Sequence, residues 1–514
     1  MARLFVGHKP GVGGVVKVMR YDTDEPLTTP NENYGKFLFN SETSKLAYAN
    51  FINSYKWDGA VPPNTTAYVP SGSNINTAQH ATRRLTTLQW QFLFSGRIMG
   101  RGNVPLITEI RQKRPLGVER VLQRAMYQRT SENGPNTAGD VSINLTYAMR
   151  LTKGVGFGIG PFSEPIAAMV GELNDDFTIE PETFSSNRPN EEVIATIFDL
   201  PADSRPMPST PVAASGTRNT LIVPSVVRIA KAGANAEVGG DSIIADSDHI
   251  PLKIVRAGQV DIEPGLYVDV LSPWPLTVDS YMDYMTWRKG QPVRWPDPIA
   301  DSPFAQEYAS RVTYAVFEDR VRIFNRGNVA VSVRFMICAD NMQTTTGGSR
   351  IMRRLDDENI QIKRPGSSDV APLSGDIVLD TRFSYFPIVA EGYAHYTEFT
   401  ASSSNLALGD RYFDVALPND GSYVPFVKFC AVTANDIFSP QGRVLRTRTA
   451  SAFNGIASNR QAIVELTNTN ARFWLAYSHP LRANAVSNGY TGNYDTFYRP
   501  IGIRYYIFAI PVSF

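Results

Sequence analysis

The chain has 514 residues, of which 43% are hydrophobic and 19% charged, so it can bury several cores and is not disordered throughout. Its 50 basic and 49 acidic side chains leave a net charge of +1, which provides no field for gathering nucleic acid or an anionic membrane. The 38 glycines and 35 prolines favour short strands and turns. The composition therefore predicts an all-β protein of several domains and argues against nucleic acid as a partner.

The N-terminus contains one short apolar run, Leu4-Phe-Val6, before polar residues return. A signal peptide needs a longer apolar core, and a membrane span needs about 18 consecutive apolar residues. No segment of the sequence approaches that length. We therefore expect a protein that is made in the cytoplasm and has no membrane span.

Two parts of the chain carry the same short motifs in the same order. The pairs are Lys9-Pro-Gly11 with Arg364-Pro-Gly366, Gly35-Lys-Phe-Leu-Phe-Asn-Ser41 with Gly375-Asp-Ile-Val-Leu-Asp-Thr381, and Asn103-Val-Pro-Leu-Ile107 with Tyr423-Val-Pro-Phe-Val427. Self-similarity of this kind is the signature of a repeated structural unit. It predicts a tandem duplication.

A fourth pair closes each copy: residues 331–339 align without gaps with residues 501–509. The alignment places Arg334 over Arg504 and Ile337 over Ile507. Both faces of each segment are largely apolar, which predicts a central strand covered on two sides. We expect the two isoleucines in the core, and each arginine near the domain edge, bonded to a carboxylate or to backbone carbonyls.

The first copy is longer than the second, and we interpret the excess as an inserted domain. The expected fold is two tandemly duplicated β-sandwich-like domains, the first carrying a large, mainly β insertion. The predicted divisions are 1–134 plus 311–342 for the first domain, 135–310 for the insertion, 343–361 for a linker and 362–514 for the second domain.

One segment, Leu116 to Gln128, has apolar residues at helical spacing and arginines, including Arg120, on another face. It predicts the one helix of the chain. Its basic face is expected to be solvated or to touch another subunit, with phosphate binding as an alternative.

The predicted insertion contains three segments that resemble chemical sites. Gly154 to Gly160 alternates glycine with apolar residues but lacks the Lys-Ser or Lys-Thr of a phosphate loop, so a strand with a glycine face is the better interpretation. Asp246-Ser-Asp248-His249 could ligate a metal, but it lacks the glycine and distal Glu of a calcium loop, so a polar turn is the better interpretation. Asp175, Asp176, Glu180 and Glu182 could form the carboxylate pair of a glycosidase, but their stretch, 171–211, is typical of an exposed loop.

An aromatic-rich segment runs from 272 to 300, and its candidate contact residues are Trp274, Tyr281, Tyr284, Trp287 and Trp295. Aromatic residues at this density are typical of interfaces. Core packing, a subunit interface and glycan stacking all remain open.

The five histidines are scattered, without a metalloprotease pair or a nucleophile elbow. The two cysteines, Cys338 and Cys430, lie in strand-like apolar runs, which predicts buried thiols and no disulfide framework. We therefore expect no enzyme, no cofactor and no metal site.

The cues Lys9-Pro-Gly11, Phe37-Leu-Phe-Asn-Ser-Glu42 with Lys45-Leu46, Asn103-Val-Pro-Leu and Arg504-Tyr-Tyr-Ile-Phe508 resemble the small β-rich repeat units of tail-tip and tail-fibre proteins of tailed bacteriophages. The resemblance covers the ends of each unit. It implies a structural protein of the virion, in the fibre, tip or baseplate region, that is commonly trimeric, and it transfers no catalytic residue.

The leading hypothesis is a phage tail protein made in the host cytoplasm. It would form a homotrimer, bind other tail proteins and contact a glycan or protein of the host surface. A capsid shell or decoration protein and a glycan-cleaving tailspike remain as alternatives.

Overall fold

The computed structural model describes part of the chain, in separate segments. The described residues are 3–43, 48–56, 65–68, 78–82, 91–95, 107–121, 147–152, 172–173, 176–183, 192–199, 218–230, 233–237, 243–247, 253–295, 312–339, 344–357, 359–383, 388–402, 411–433, 438–439, 462–475 and 500–512.

The predicted all-β class is confirmed, because the described residues contain many antiparallel sheets and no helix of seven or more residues. The first thirteen strands are β1 (Arg3–Lys9), β2 (Gly13–Met19), β3 (Phe37–Asn40), β4 (Tyr48–Lys56), β5 (Thr65–Tyr68), β6 (Ala78–Thr82), β7 (Gln91–Ser95), β8 (Ile107–Lys113), β9 (Glu119–Val121), β10 (Tyr147–Thr152), β11 (Glu172–Leu173), β12 (Asp176–Thr183) and β13 (Glu192–Asp199).

The next ten strands lie between residues 220 and 338. They are β14 (Thr220–Val223), β15 (Val226–Ala230), β16 (Ile243–Asp246), β17 (Ile254–Ile262), β18 (Tyr267–Leu271), β19 (Tyr281–Arg288), β20 (Val293–Trp295), β21 (Val312–Val316), β22 (Arg320–Asn325) and β23 (Val331–Cys338).

The last eleven strands are β24 (Met352–Arg354), β25 (Ile360–Lys363), β26 (Ile377–Asp380), β27 (Ile388–His395), β28 (Thr400–Ala401), β29 (Arg411–Ala416), β30 (Tyr423–Thr433), β31 (Phe438–Ser439), β32 (Ala462–Leu466), β33 (Asn470–Leu475) and β34 (Pro500–Pro511). Three single-turn 3-10 helices accompany them, at Tyr34–Lys36, Ser374–Asp376 and Tyr396–Glu398. No helix in the described ranges is long and apolar enough to cross a membrane.

Three small sheets have the same construction, a hairpin followed by a third strand. They are β1-β2-β3, β14-β15-β16 and β24-β25-β26. In each, a bulge interrupts the pairing of the second strand with the third. A hydroxyl just after the third strand accepts a hydrogen bond from a backbone N–H of the second strand. The pairs are Val16 with Ser41 at 2.9 Å, Val227 with Ser247 at 2.9 Å, and Ile360 with Thr381 at 3.0 Å.

Three further sheets each place a late strand between two earlier ones. Their orders are β4-β13-β8, β17-β23-β19 and β27-β34-β30. The first strand of each pairs with the central strand through a bulge, at Ile52, Val255 and Val389 respectively. Ile254 lies opposite Cys338, and Ile388 lies opposite Phe508, so the two predicted closing strands occupy the same register.

The closing strands are covered on both faces, as the sequence predicts. Along β23, Val333 and Phe335 contribute to one large core, whereas Met336 and Cys338 contribute to a second. Ile337 and Ile507 are fully buried, which confirms their predicted place in the core. Because both faces of β23 are dry, the strand reads as a continuous apolar run and not as an alternating one.

Three larger sheets complete the described strands, and the first two, which turn one face of their strands to solvent, are called the outer sheets. Two of them are β18-β22-β21-β9 and β28-β29-β33-β32-β20, and the third has the order β10-β12-β7-β6-β5, with β11 paired to β12. In the first two, a tight hairpin joins β21 to β22 and β32 to β33.

The strand pairing does not follow the predicted domain divisions. The closing strand β23 lies between β17 and β19, which both fall within the predicted insertion, so these three strands form one sheet. The predicted linker contains β24, which pairs with β25. Lys9-Pro-Gly11 forms the β1–β2 turn, whereas Arg364-Pro-Gly366 follows β25, so these two motifs occupy different places.

The predicted helix at 116–128 is wrong for its described part, because Glu119 to Val121 form strand β9. The helical spacing arose from a short apolar turn followed by a strand, and pairing with β21 decided the conformation. Arg120 is not solvated as expected, since only 1% of it is exposed. Residues 122–128 lie outside the described ranges.

The expectation of an exposed loop over 171–211 is also wrong for much of its length. Asp176, Glu180 and Glu182 belong to β12, which pairs with β7 and β10, and residues 192–199 form β13. Residue 175 and the glycine run 154–160 lie outside the described ranges. Polar composition misled the prediction here because strand pairing overrides local propensity.

Candidate interaction surfaces

The structure places most of the aromatic candidates in the core. Tyr281, Tyr284, Trp287 and Trp295 are all buried. The hydroxyl of Tyr284 donates a hydrogen bond to the carbonyl of Val312 at 2.8 Å, which satisfies its polar end. These four side chains therefore pack inside the described structure.

The fifth candidate, Trp274, is partly buried in the loop after β18. Its ring meets the ring of Phe383 edge to face at a centroid distance of 4.9 Å, and the Arg382 guanidinium lies 4.4 Å from its centroid. Phe383 follows β26, so this contact joins the β18–β19 loop to one of the small sheets. Aromatic and cation–π contacts of this geometry stabilise an interface between elements.

A solvent-facing cluster of arginines and aromatic rings covers the outer face of the β18-β22-β21-β9 sheet, and we call it the outer arginine face. It comprises Tyr267, Asp269, Phe317, Arg320, Arg322, Phe324 and Arg326. The sheet places them together because alternate residues of β22 point outward next to those of β18.

The geometry at the centre of this face is well defined. Arg322 donates two hydrogen bonds to the carboxylate of Asp269, each of 2.7 Å, and its guanidinium lies 4.1 Å from the centroid of Tyr267. The hydrogen bond from Arg322 lowers the pKa of Asp269, and the same bond raises the pKa of Arg322. Both side chains are therefore charged at neutral pH.

The margin of the face is apolar. Leu266, Tyr267 and Leu271 are 58%, 52% and 68% exposed, an unusual concentration of exposed apolar area along one strand. Aromatic rings and hydrogen-bonding arginines are groups that protein interfaces favour.

The same arrangement occurs on the second outer sheet. Arg472 donates hydrogen bonds of 2.8 and 2.7 Å to Asp414, and its guanidinium lies 4.3 Å from the centroid of Tyr412. The bond to Arg472 lowers the pKa of Asp414 and raises that of Arg472. The sequence carries a signal for this pair, since Tyr267-Val-Asp-Val resembles Tyr412-Phe-Asp-Val. A self-comparison across the predicted insertion boundary would have found it.

A buried ion pair and a buried arginine lie between the β17-β23-β19 sheet and the β27-β34-β30 sheet. Asp283 on β19 and Lys428 on β30 are both 1% exposed and form an ion pair. Arg334 on β23 is buried and donates hydrogen bonds to the side-chain oxygen of Gln259 at 3.0 Å and to the carbonyl of Pro425 at 2.5 Å. Burial lowers the pKa of Arg334 to about 10, so it remains a cation at neutral pH.

The prediction for Arg334 is confirmed in its chemistry, because it bonds a backbone carbonyl as expected. It does not lie at a solvent-exposed edge, because it is 4% exposed in the central strand β23 and packs against the neighbouring sheet that contains Pro425. The side chain of Arg504 lies outside what the structure describes.

The possible metal ligand Asp246 has a structural role. Its carboxylate accepts a hydrogen bond of 2.7 Å from Arg228, directly opposite on β15. The corresponding cross-strand pairs in the other small sheets are Lys17 opposite Asn40, and Gln361 opposite Asp380. Asp248 and His249 lie outside the described ranges, and no group of potential metal ligands occurs in the described part of the chain.

Of the two cysteines, Cys338 is a buried thiol, as predicted. Cys430 belongs to strand β30, and its side chain lies outside what the structure describes.

No family model matches the chain, and no curated protein or solved structure is significantly similar to it.

Proposed function

We propose that the protein is a structural component of a bacteriophage virion, in the fibre, tip or baseplate region of the tail. The observation that carries this proposal is the recurrence of one β-unit along the chain. Two of the segments behind the family resemblance belong to it: Phe37 to Asn40 form the third strand of a small sheet, and residues 504–508 belong to closing strand β34.

The outer arginine face supports a role in contact with other molecules. Its rings and ion-paired arginines suit a neighbouring tail protein or a host glycan, because both stack on aromatic rings and accept hydrogen bonds from guanidinium groups. The related cluster at Tyr412, Asp414 and Arg472 would provide the chain with a second contact point of the same chemistry.

The test is to find the chain in the particle. An antibody raised against the recombinant protein should label intact phage particles at the tail when they are viewed by electron microscopy. Labelling over the whole head would support the capsid or decoration alternative. A virion role would be contradicted if purified particles carried no label and an immunoblot showed that they lack the chain.

A second experiment addresses the tailspike alternative. Purified protein incubated with host surface polysaccharide should release no reducing sugar. Release that disappears on changing Asp176→Asn or Glu180→Gln, but persists with a control such as Asp420→Asn, would replace the structural proposal with an enzymatic one.

A further inference from the structure

Two strands of the chain leave their own neighbourhood and complete another sheet. Strand β9 follows β8, yet it pairs with β21, almost 200 residues further along. Strand β20 follows β19, yet it pairs with β32, which belongs with β33 and β29. Each extends the edge of an outer sheet that would otherwise end in an unpaired strand.

The two additions use the same register. Ala315 on β21 and Glu465 on β32 occupy corresponding positions. Each lies in the first strand of an equivalent hairpin, opposite Arg322 and Arg472 respectively. Glu119 lies opposite Ala315, and Arg294 lies opposite Glu465. One residue further, Arg120 and Trp295 correspond, and both are buried, at 1% and 2% exposure.

The donors also correspond. Both β9 and β20 come directly after the strand that flanks a closing strand, β8 beside β13 and β19 beside β23. Each donated strand thus follows a strand of one repeat but pairs with a sheet of another repeat of the same unit. The described strands assign three such repeats, at 3–199, 218–339 and 344–512, each with a small sheet and a closing strand.

Contacts join every pair of these repeats. The first and second meet at β9 and through Arg120, which donates a hydrogen bond of 2.8 Å to the carbonyl of Ser280. The second and third meet at β20 and through the Asp283–Lys428 ion pair.

The third repeat returns to the first. The rings of Tyr34 and Tyr423 meet edge to face at 5.3 Å, and the Gly35 N–H donates a hydrogen bond of 3.2 Å to Ser422 Oγ. A Cβ at Gly35 would lie 3.0 Å from the Ser422 carbonyl oxygen, so a side chain at this position would crowd the neighbouring backbone.

We infer that the chain is three tandem copies of one β-unit closed into a ring, in which each of the first two units completes the outer sheet of the next by donating a strand. The interaction surface is the edge of β21 or β32, and the partner is the preceding unit of the same chain. A single chain then holds the three units that a trimer would otherwise assemble from three chains. This inference does not depend on the proposed function, and it differs from the homotrimer predicted from the sequence.

The test is disulfide cross-linking across each junction. Residues directly opposite in an antiparallel pair have the Cα separation that a disulfide needs. The variants are Glu119→Cys with Ala315→Cys for the first junction, and Arg294→Cys with Glu465→Cys for the second. A matched control within one unit is Asp269→Cys with Arg322→Cys, which are opposite each other on β18 and β22. Single-cysteine variants control for reaction with Cys338 or Cys430.

We expect both junction variants to form the disulfide within one chain, as the control does, with single-chain mobility on a non-reducing gel and the bond located by peptide mass spectrometry. Disulfide-linked dimers or larger species, with the control remaining a single chain, would show that the strands pass between chains. If a junction variant folds but forms no disulfide while the control forms one, the inference that the strand is donated would be wrong.

Light scattering on the unmodified chain completes the test. The closed ring predicts the mass of one chain in dilute solution. A stable trimer would contradict the conclusion that one chain replaces three, even if the strands are donated within the chain.

Discussion

The donated strands β9 and β20 fill corresponding buried positions with side chains of different chemistry. At corresponding positions, one inserts Arg120 and the other Trp295, and both side chains are buried in full. Trp295 contributes ring area to a large hydrophobic core. Arg120 donates hydrogen bonds to the carbonyls of Ser280 and Arg114, each of 2.8 Å, and to that of Val278 at 3.2 Å.

Both donated strands place a large side chain at this buried position. A polar side chain fits there only when neighbouring backbone carbonyls accept its hydrogen bonds. Burial lowers the pKa of Arg120, which shows the desolvation that the three carbonyls must offset. The same principle applies at Asp283 and Lys428. They occupy corresponding positions on β19 and β30, carry opposite charges and pair with each other.

The largest expected effects come from replacing the buried residues of the two donated strands, Trp295 and Arg120. Trp295→Ala should lower the free energy of unfolding by about 3–5 kcal/mol, because it removes a large buried ring and leaves a cavity. Arg120→Leu should cost about 1–3 kcal/mol, because it keeps much of the volume but leaves buried carbonyls without donors. Urea unfolding of the two variants measures both losses. An unchanged midpoint for Arg120→Leu would mean that the carbonyls contribute nothing.

The buried ion pair allows a stricter comparison of corresponding positions. Lys428→Met alone should cost about 3–5 kcal/mol, because it leaves the carboxylate of Asp283 buried without its cation. The double variant Lys428→Met with Asp283→Leu should recover most of that loss, since two apolar side chains need no partner. A double-mutant cycle by urea unfolding gives the coupling. The cycle also includes Asp283→Leu alone, and a loss in the double variant equal to the sum of the two single losses would show that the two charges do not interact.

The closing strands should respond alike to the same truncation. Ile337→Ala and Ile507→Ala should each lower the free energy of unfolding by about 2–5 kcal/mol, because both side chains are fully buried at the same register. The control is Ile222→Ala on β14, which is 51% exposed and should change stability little. A loss below about 1 kcal/mol at either closing strand would weaken the correspondence between them.

The smallest effect concerns the outer sheets. Asp269→Asn and Asp414→Asn should each cost about 0.2–1 kcal/mol at neutral pH, because both ion pairs are solvent-exposed and screened. The pKa of each carboxyl is lower in the folded state, so its contribution is complete above the unfolded pKa of about 3.9 and is lost as the pH falls through the folded value. Thermal unfolding should therefore show a larger difference from wild type at pH 7 than at pH 2.

The sequence determined the local character of the chain. Turn-rich composition and alternating apolar residues predict β-structure, and the two-sided apolar pattern of 331–339 and 501–509 predicts central strands because a strand without a polar face must be covered twice. The buried Ile337 and Ile507 follow from that pattern. The outer arginine face was also present as a pattern, in the repeated Tyr-x-Asp-Val segments.

The pairing of the strands depends on contacts between segments that are remote in sequence. Three residues of β9 carry too short a pattern to specify strand or helix, and their conformation comes from β21, which is remote in sequence. Likewise Arg120 looked solvent-exposed because its residue type usually is, whereas the carbonyls of Val278 and Ser280, remote in sequence, and of nearby Arg114 make its burial possible. Periodicity is a property of neighbours along the chain, but sheet membership and buried polar partners are set by contacts between segments, so they emerge only when the chain is folded.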